Sequence, residues 1–354
     1  MTYAPGPYGY GYPPPPPPPK PGVIPLAPLG LGELLTGAFS TYGRYWKPLI
    51  GVAVAAYAGE AVLVGGGLLL AYNAVKDDLD RLTHLPAHTS PDFADVQSLV
   101  VAFGCVWFVG MLGLLVTTGL VGAAAPAVVQ EAVLGRPIGF VAVWRRAWSR
   151  LGSVIGSVLL SALATLVPML LFMAGFVLLI VGMIAGIGSS ESDAPPAAAL
   201  AGVGGLLFLL ALLTVPVCLW LWVKFSLAPA VAVIENQGPM ASLRRSSTLV
   251  RGDWWRIFGY GLVAALIVGL VSFLLQQVLS LGSAFSMPVY APGRTATPGE
   301  VLSAVFGSML VLGFVQMLVQ AVLAPFQPLV NALLYVDQRI RKENLGPVLA
   351  QQAV

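Results

Sequence analysis

Apolar residues occur in runs far longer than the helices of a soluble core need. Six stretches, 48–72, 98–122, 153–187, 199–225, 257–281 and 301–325, consist mainly of Leu, Val, Ala, Gly and Phe. A bilayer core about 30 Å thick is crossed by about 20 residues of helix, and a helix satisfies its own backbone groups in hydrocarbon. The pattern predicts an all-α, polytopic membrane protein with six transmembrane helices. Ser189 to Pro196 separates the third and fourth runs, and Pro288 to Gly299 the fifth and sixth.

Composition agrees. The chain is 57% hydrophobic and 9% charged, whereas soluble domains carry about 25% charge. Cys105 and Cys218 both lie in apolar runs, which excludes a disulfide scaffold and argues against structural zinc. Of 18 Lys and Arg residues, those before the first run, between the second and third, between the fourth and fifth, and after the sixth predominate. Only Lys76, Arg81 and Arg294 lie on the other side, where Asp77, Asp78, Asp80, Asp92, Asp95, Glu191, Asp193 and Glu300 collect. The positive-inside rule then places both ends in the cytoplasm. The heavy use of Ala, Gly, Val, Leu and Pro suggests a high-GC bacterial genome, and together with the spans a bacterial plasma membrane is expected.

Residues 1–29 are rich in Pro, Gly and Tyr and read as a disordered cytoplasmic tail. Pro13 to Pro19 favours polyproline II and offers an arm to a protein partner. No basic stretch followed by an apolar core marks a secretory signal. Residues 339–354 read as a second cytoplasmic tail around a membrane domain over 30–338.

That domain shows internal similarity. Gly30, Gly135 and Gly238 are each followed 21 residues later by Gly51, Gly156 and Gly259. Ala125-Pro126 recurs as Ala228-Pro229 and Ala324-Pro325. Three units are expected, about 30–134, 135–237 and 238–338. Each would be a cytoplasmic-side interfacial helix followed by a helical hairpin, and the three would be parallel repeats.

The interfacial segments carry the first set of candidate residues. Over 139–151, Phe140, Val143, Trp144, Ala147 and Leu151 fall at helical spacing, with Arg145, Arg146 and Arg150 elsewhere. Arg244, Arg245, Arg251, Trp254, Trp255 and Arg256 form a similar group. Helices of this kind lie in the headgroup layer, with aromatics at the boundary and Arg toward phosphates, so anionic membrane lipid is the expected partner.

Within the membrane, Glu60 is mid-span, and an intramembrane acid is a candidate for function. Gln316 and Gln320 share one helical face. Lys224 stands at a span end, where its stem can snorkel, which disfavours an ion pair with Glu60. His84 and His88 are interrupted by Pro86, which spoils a helical metal face. No nucleophile elbow, P-loop, zinc-protease or dinucleotide motif occurs. No catalytic residue, metal, cofactor or nucleic acid is expected.

Residues 24–39 (IPLAPLGLGELLTGAF), 241–256 (ASLRRSSTLVRGDWWR) and 334–343 (LYVDQRIRKE) together resemble a bacterial six-helix membrane family related to the membrane domain of glycerophosphoryl diester phosphodiesterase. The resemblance implies the membrane module alone. The phosphodiesterase reaction belongs to a separate soluble barrel with metal-binding carboxylates and catalytic histidines, for which this chain, with two histidines, has no room. The expected function is a non-catalytic module organising lipid or a partner protein at the cytoplasmic face. The alternative is a transporter or channel built on Glu60.

Overall fold

The computed structural model describes residues 20–83, 93–188, 194–286 and 298–352. Every regular element among them is a helix: α1 (Leu31–Arg44), α2 (Trp46–Thr83), α3 (Phe93–Val133), α4 (Phe140–Gly188), α5 (Ala194–Phe225), α6 (Ala228–Ile234), α7 (Pro239–Val250), α8 (Trp254–Ser286), α9 (Pro298–Leu323), α10 (Phe326–Glu343) and α11 (Leu345–Gln352). Local sequence accounts for the boundaries. Gly30 begins α1, and its N–H donates to Glu33 Oε2 at 2.7 Å, half of a capping box. Pro239 occupies the first turn of α7, where its missing N–H costs nothing. Asn344 ends α10 with φ of 53°, a left-handed cap that Asn tolerates.

Five helical stretches are long and apolar enough to cross a membrane: Trp46–Asp78, Gln97–Val133, Ala198–Ile234, Trp254–Ser280 and Val311–Glu343. There are six if Phe140–Leu163 and Pro168–Ile184, bent by 51°, count as one span. Pro168 lies inside α4 and removes a helical hydrogen bond at that bend. Large apolar side chains cover the outside of these stretches, Val62, Leu70, Leu213 and Leu266 among them. The chain is a multi-pass membrane protein.

The buried core is concentrated at one end, which carries most of the Arg and is called here the basic end. The last turns of α3 (Ala123 to Val133), the short α6 and the first half of α10 pack against one another there. Helix α1 rests on α10, the first turns of α4 on α3, and α7 on α6. Toward the other end, few side chains are buried and the helices approach closer to backbone. A Cβ on Gly204 would meet Leu179 N at 2.4 Å, and one on Gly175 would meet Phe208 N at 2.6 Å. Small residues thus let α4 and α5 touch main chain to main chain. Ala53, Val121 and Ala321 join α2, α3 and α9.

Three boundaries differ from the sequence reading. Residues 20–29 belong to the core: Ile24 and Leu29 are fully buried, and Val23 N donates to Ala132 O at 3.2 Å. The remainder of that tail, 1–19, lies outside the described residues, as do His84 and His88. Residues 139–151 form no separate interfacial helix. They are the opening of the 49-residue α4, with Val143 and Ala147 fully buried. Residues 339–343 complete α10, and α11 follows with Leu345 and Leu349 against the core.

Candidate functional site

Apolar burial at the basic end is stitched together by charge. Asp337, on the core face of α10, is 0% exposed. Its carboxylate accepts from Leu29 N–H at 2.8 Å, from Arg256 at 2.5 Å and from Arg341 at 3.1 Å. Arg256 and Arg341 each also donate to Leu29 O at 2.8 Å. Both backbone groups of one strap residue are therefore taken by side chains from α8 and α10. A buried carboxylate is tolerated when paired and fully hydrogen-bonded, and here the neighbours meet both conditions.

A second node forms around Glu235, which follows α6. It accepts from Arg245 of α7 at 3.1 Å and from Tyr335 Oη of α10 at 2.7 Å. Arg245 continues to Glu343, which Arg339 also bonds at 2.8 Å. Burial works against the Arg245 cation, but its hydrogen bonds to Glu235 and Glu343 outweigh burial and raise its pKa above the ordinary value. A third node secures the α7–α8 turn. Lys342 Nζ donates to Leu249 O at 2.7 Å and Arg251 O at 2.6 Å, and pairs with Asp253 at 3.2 Å. Gln338, turned so that its amide nitrogen donates, reaches Asp253 at 3.1 Å. Gly252 makes that turn with φ of 92°, a conformation Gly adopts without strain.

The arginines singled out from the sequence divide accordingly. Arg245 and Arg256 are committed to these nodes. Arg146 donates to Gln130 at 2.5 Å and faces Glu131 at 3.8 Å, and Arg150 reaches Asn236 O at 3.4 Å. Arg145, Arg244 and Arg251 are exposed, and their guanidinium groups pair with no described residue. Phe140, Trp144 and Trp148 stack in a ladder along α4 with centroid spacings of 5.9 Å. Trp254 stacks on Phe258, while Trp255 is 77% exposed.

Within the spans, Glu60 lies between α2 and α3 against Gly113, and its Oε2 is buried without a hydrogen-bond partner among the described residues. Lys224 is not its partner: Lys224 Nζ lies over the Trp220 ring, 4.3 Å from the centroid. Gln316 and Gln320 are half-buried on α9, which packs on α2, and no hydrogen bond joins them to Glu60. No group of three or more metal-ligating side chains occurs among the described residues.

Among the network residues absent from the sequence candidates are Asp337, Arg341, Glu235 and Tyr335. Three of these four lie in the charged run 334–343, which the sequence reading divides between the end of the membrane domain and the tail from 339. A family profile described as a domain of unknown function (DUF7847) matches residues 48–337. The chain belongs to the DUF7847 family. Neither a curated protein nor a solved structure matches it. The match ends at Asp337, and it begins downstream of the buried strap 20–30 that Asp337 holds.

Proposed function

We propose that this DUF7847 protein is a non-catalytic integral membrane module that organises anionic lipid, or a partner protein, at its basic end. The observation that carries the reading is the division of the arginines. The buried network consumes Arg245, Arg256, Arg339 and Arg341, while Arg145, Arg244 and Arg251 remain exposed at the end that also exposes Trp148 and Trp255. Exposed guanidinium together with exposed Trp suits a headgroup layer. The basic end faces the cytoplasm of a bacterial plasma membrane on the positive-inside rule, and the Pro13–Pro19 sequence is the proposed arm for a protein partner.

The module is read as three parallel units closed into a ring. At two of the three junctions equivalent positions make equivalent contacts, while a Cβ on the third, Gly259, would meet nothing. A Cβ on Gly51 of the first unit would meet the Phe140 ring that opens the second, at 3.0 Å. One on Gly156 would meet Pro239, which opens the third, at 2.6 Å. Each returning segment also meets the helix that begins the next unit: α3 with α4, α6 with α7, and α10 with α1. Kinship with the membrane domain of glycerophosphoryl diester phosphodiesterase is part of this proposal. Two of the motifs that carry the resemblance meet at the Arg256–Asp337 pair.

Replacing Arg145, Arg244 and Arg251 together by Gln should weaken recovery of anionic lipid with the protein from native nanodiscs, with the fold intact. Unchanged recovery would remove lipid organisation from the account. The unpartnered Glu60 oxygen favours a second reading, a transporter or channel. That reading requires a flux in proteoliposomes which Glu60→Gln abolishes, and equal flux in both proteins would end it.

A further inference from the structure

The three unit junctions can be compared as electrostatic equivalents, an inference that rests on the lipid-organising and ring readings above. At the second, Glu235 is occupied by Arg245 and Tyr335. At the third, Asp337 is occupied by Arg256, Arg341 and the Leu29 N–H. In both, the carboxylate is held directly by donors from neighbouring elements. The first junction is different. Glu131 meets Arg146 only at 3.8 Å, and Arg145, on the same side of α4, pairs with no described carboxylate. The two guanidinium groups and the one carboxylate line an open groove of about 630 Å³, with Ile138, Ala142 and Ser149 along it. The groove has one positive charge in surplus and room to fill.

We propose that this groove binds the phosphate of a membrane lipid headgroup. Arg146 is held in place by Gln130 and Glu131, so one guanidinium is oriented before the ligand arrives. Arg145 is the free one, able to close on the phosphate. Planar guanidinium forks suit phosphate oxygens better than point charges do. The source is a lipid because of the ring ladder Phe140–Trp144–Trp148 on the same turns of α4. Aromatics at that position mark headgroup depth, and the continuous apolar stretch of the helix begins one turn further on.

Native mass spectrometry of the full chain, released from nanodiscs containing phosphatidylglycerol, tests this. The wild-type protein is expected to retain one phosphatidylglycerol. Arg145→Gln should lower that occupancy about tenfold, as loss of a charge-assisted hydrogen bond implies. Ala142→Trp, which fills the groove without changing charge, should do the same, and Lys76→Gln, at the far end of α2, should leave it unchanged; Arg244→Gln with Arg251→Gln reports on the rest of the basic end. If Arg145→Gln and Ala142→Trp both retain lipid as the wild type does, the groove assignment is overturned. If the Arg244/Arg251 pair alone then loses lipid, the lipid-organising reading survives without the groove. If no variant and no wild-type protein retains lipid, both readings fall. Soluble glycerol 3-phosphate provides the last arm: its binding to a wild-type protein that retains no phosphatidylglycerol would overturn the lipid source.

Discussion

The basic end and the membrane-crossing part of this molecule are held together in opposite ways. At the basic end, Ala, Val and Leu side chains from α1 to α8 and α10 share one core, and buried charge fixes their positions. In the crossing part, the apolar side chains face outward, and cohesion comes from main-chain approach at Gly175 and Gly204 and from small contacts such as Ala53–Val121–Ala321. The contrast follows from the solvent. Hydrocarbon gives apolar side chains no reason to leave it, so helices there associate by close packing. Water at the membrane edge restores the hydrophobic effect. It also makes paired charge a way to select one arrangement among several equally apolar ones, the registry role best attested for buried polar groups. In this chain the edge specifies how the helices are ordered, and the span interior only has to permit it.

Substitutions on the two sides sharpen that contrast. The largest effect is expected from Asp337→Ala. It strands two guanidinium groups and the Leu29 N–H, and breaking a buried pair in this way costs about 3–5 kcal/mol. Thermal unfolding in nanodiscs, followed by size-exclusion fluorescence, should show a large loss of folded protein. Next comes Gly204→Val, which forces α4 and α5 apart and should cost about 1–3 kcal/mol, the range of overpacking, in the same assay. Tyr335→Phe removes only the hydroxyl donor to Glu235 and should cost about 0.5–1.5 kcal/mol. Leu213→Ala, on a side chain 74% exposed to lipid, should change stability by no more than about 0.5 kcal/mol. A Leu213 effect as large as that of Asp337 would mean that the two regions do not differ as described.

Hydropathy made the spans legible because a 20-residue apolar run has few alternatives to a membrane helix. Pattern could not separate paired from unpaired arginines. Arg145 and Arg146 are adjacent and chemically identical, and only the position of Glu131 and Gln130 distinguishes them. The strap was hidden by composition: Pro21, Gly22, Pro25 and Pro28 read as linker, yet Val23, Ile24, Leu26 and Leu29 between them are all buried. That apolar alternation was the available signal. Asp337 was hidden by its neighbours, since Asp, Arg, Arg, Lys and Glu within seven residues resemble a solvated end. Two of its three partners, Arg256 and Leu29, are 81 and 308 positions away in sequence, beyond any local pattern. The interfacial helix expected over 139–151 merged into α4: Gly152 follows it directly but stays helical, whereas Gly252 takes φ of 92° and separates α7 from α8.

The central claim is that the strap leading into α1 is locked into the basic end through Asp337. Hydrogen–deuterium exchange of the full-length protein in nanodiscs measures this directly on peptides covering residues 22–34. The account predicts slow exchange there, comparable to that of α10, and a marked acceleration of those peptides in Asp337→Asn while the Gly175–Gly204 region of α4 and α5 stays protected. Fast exchange of the strap in the wild-type protein would contradict it.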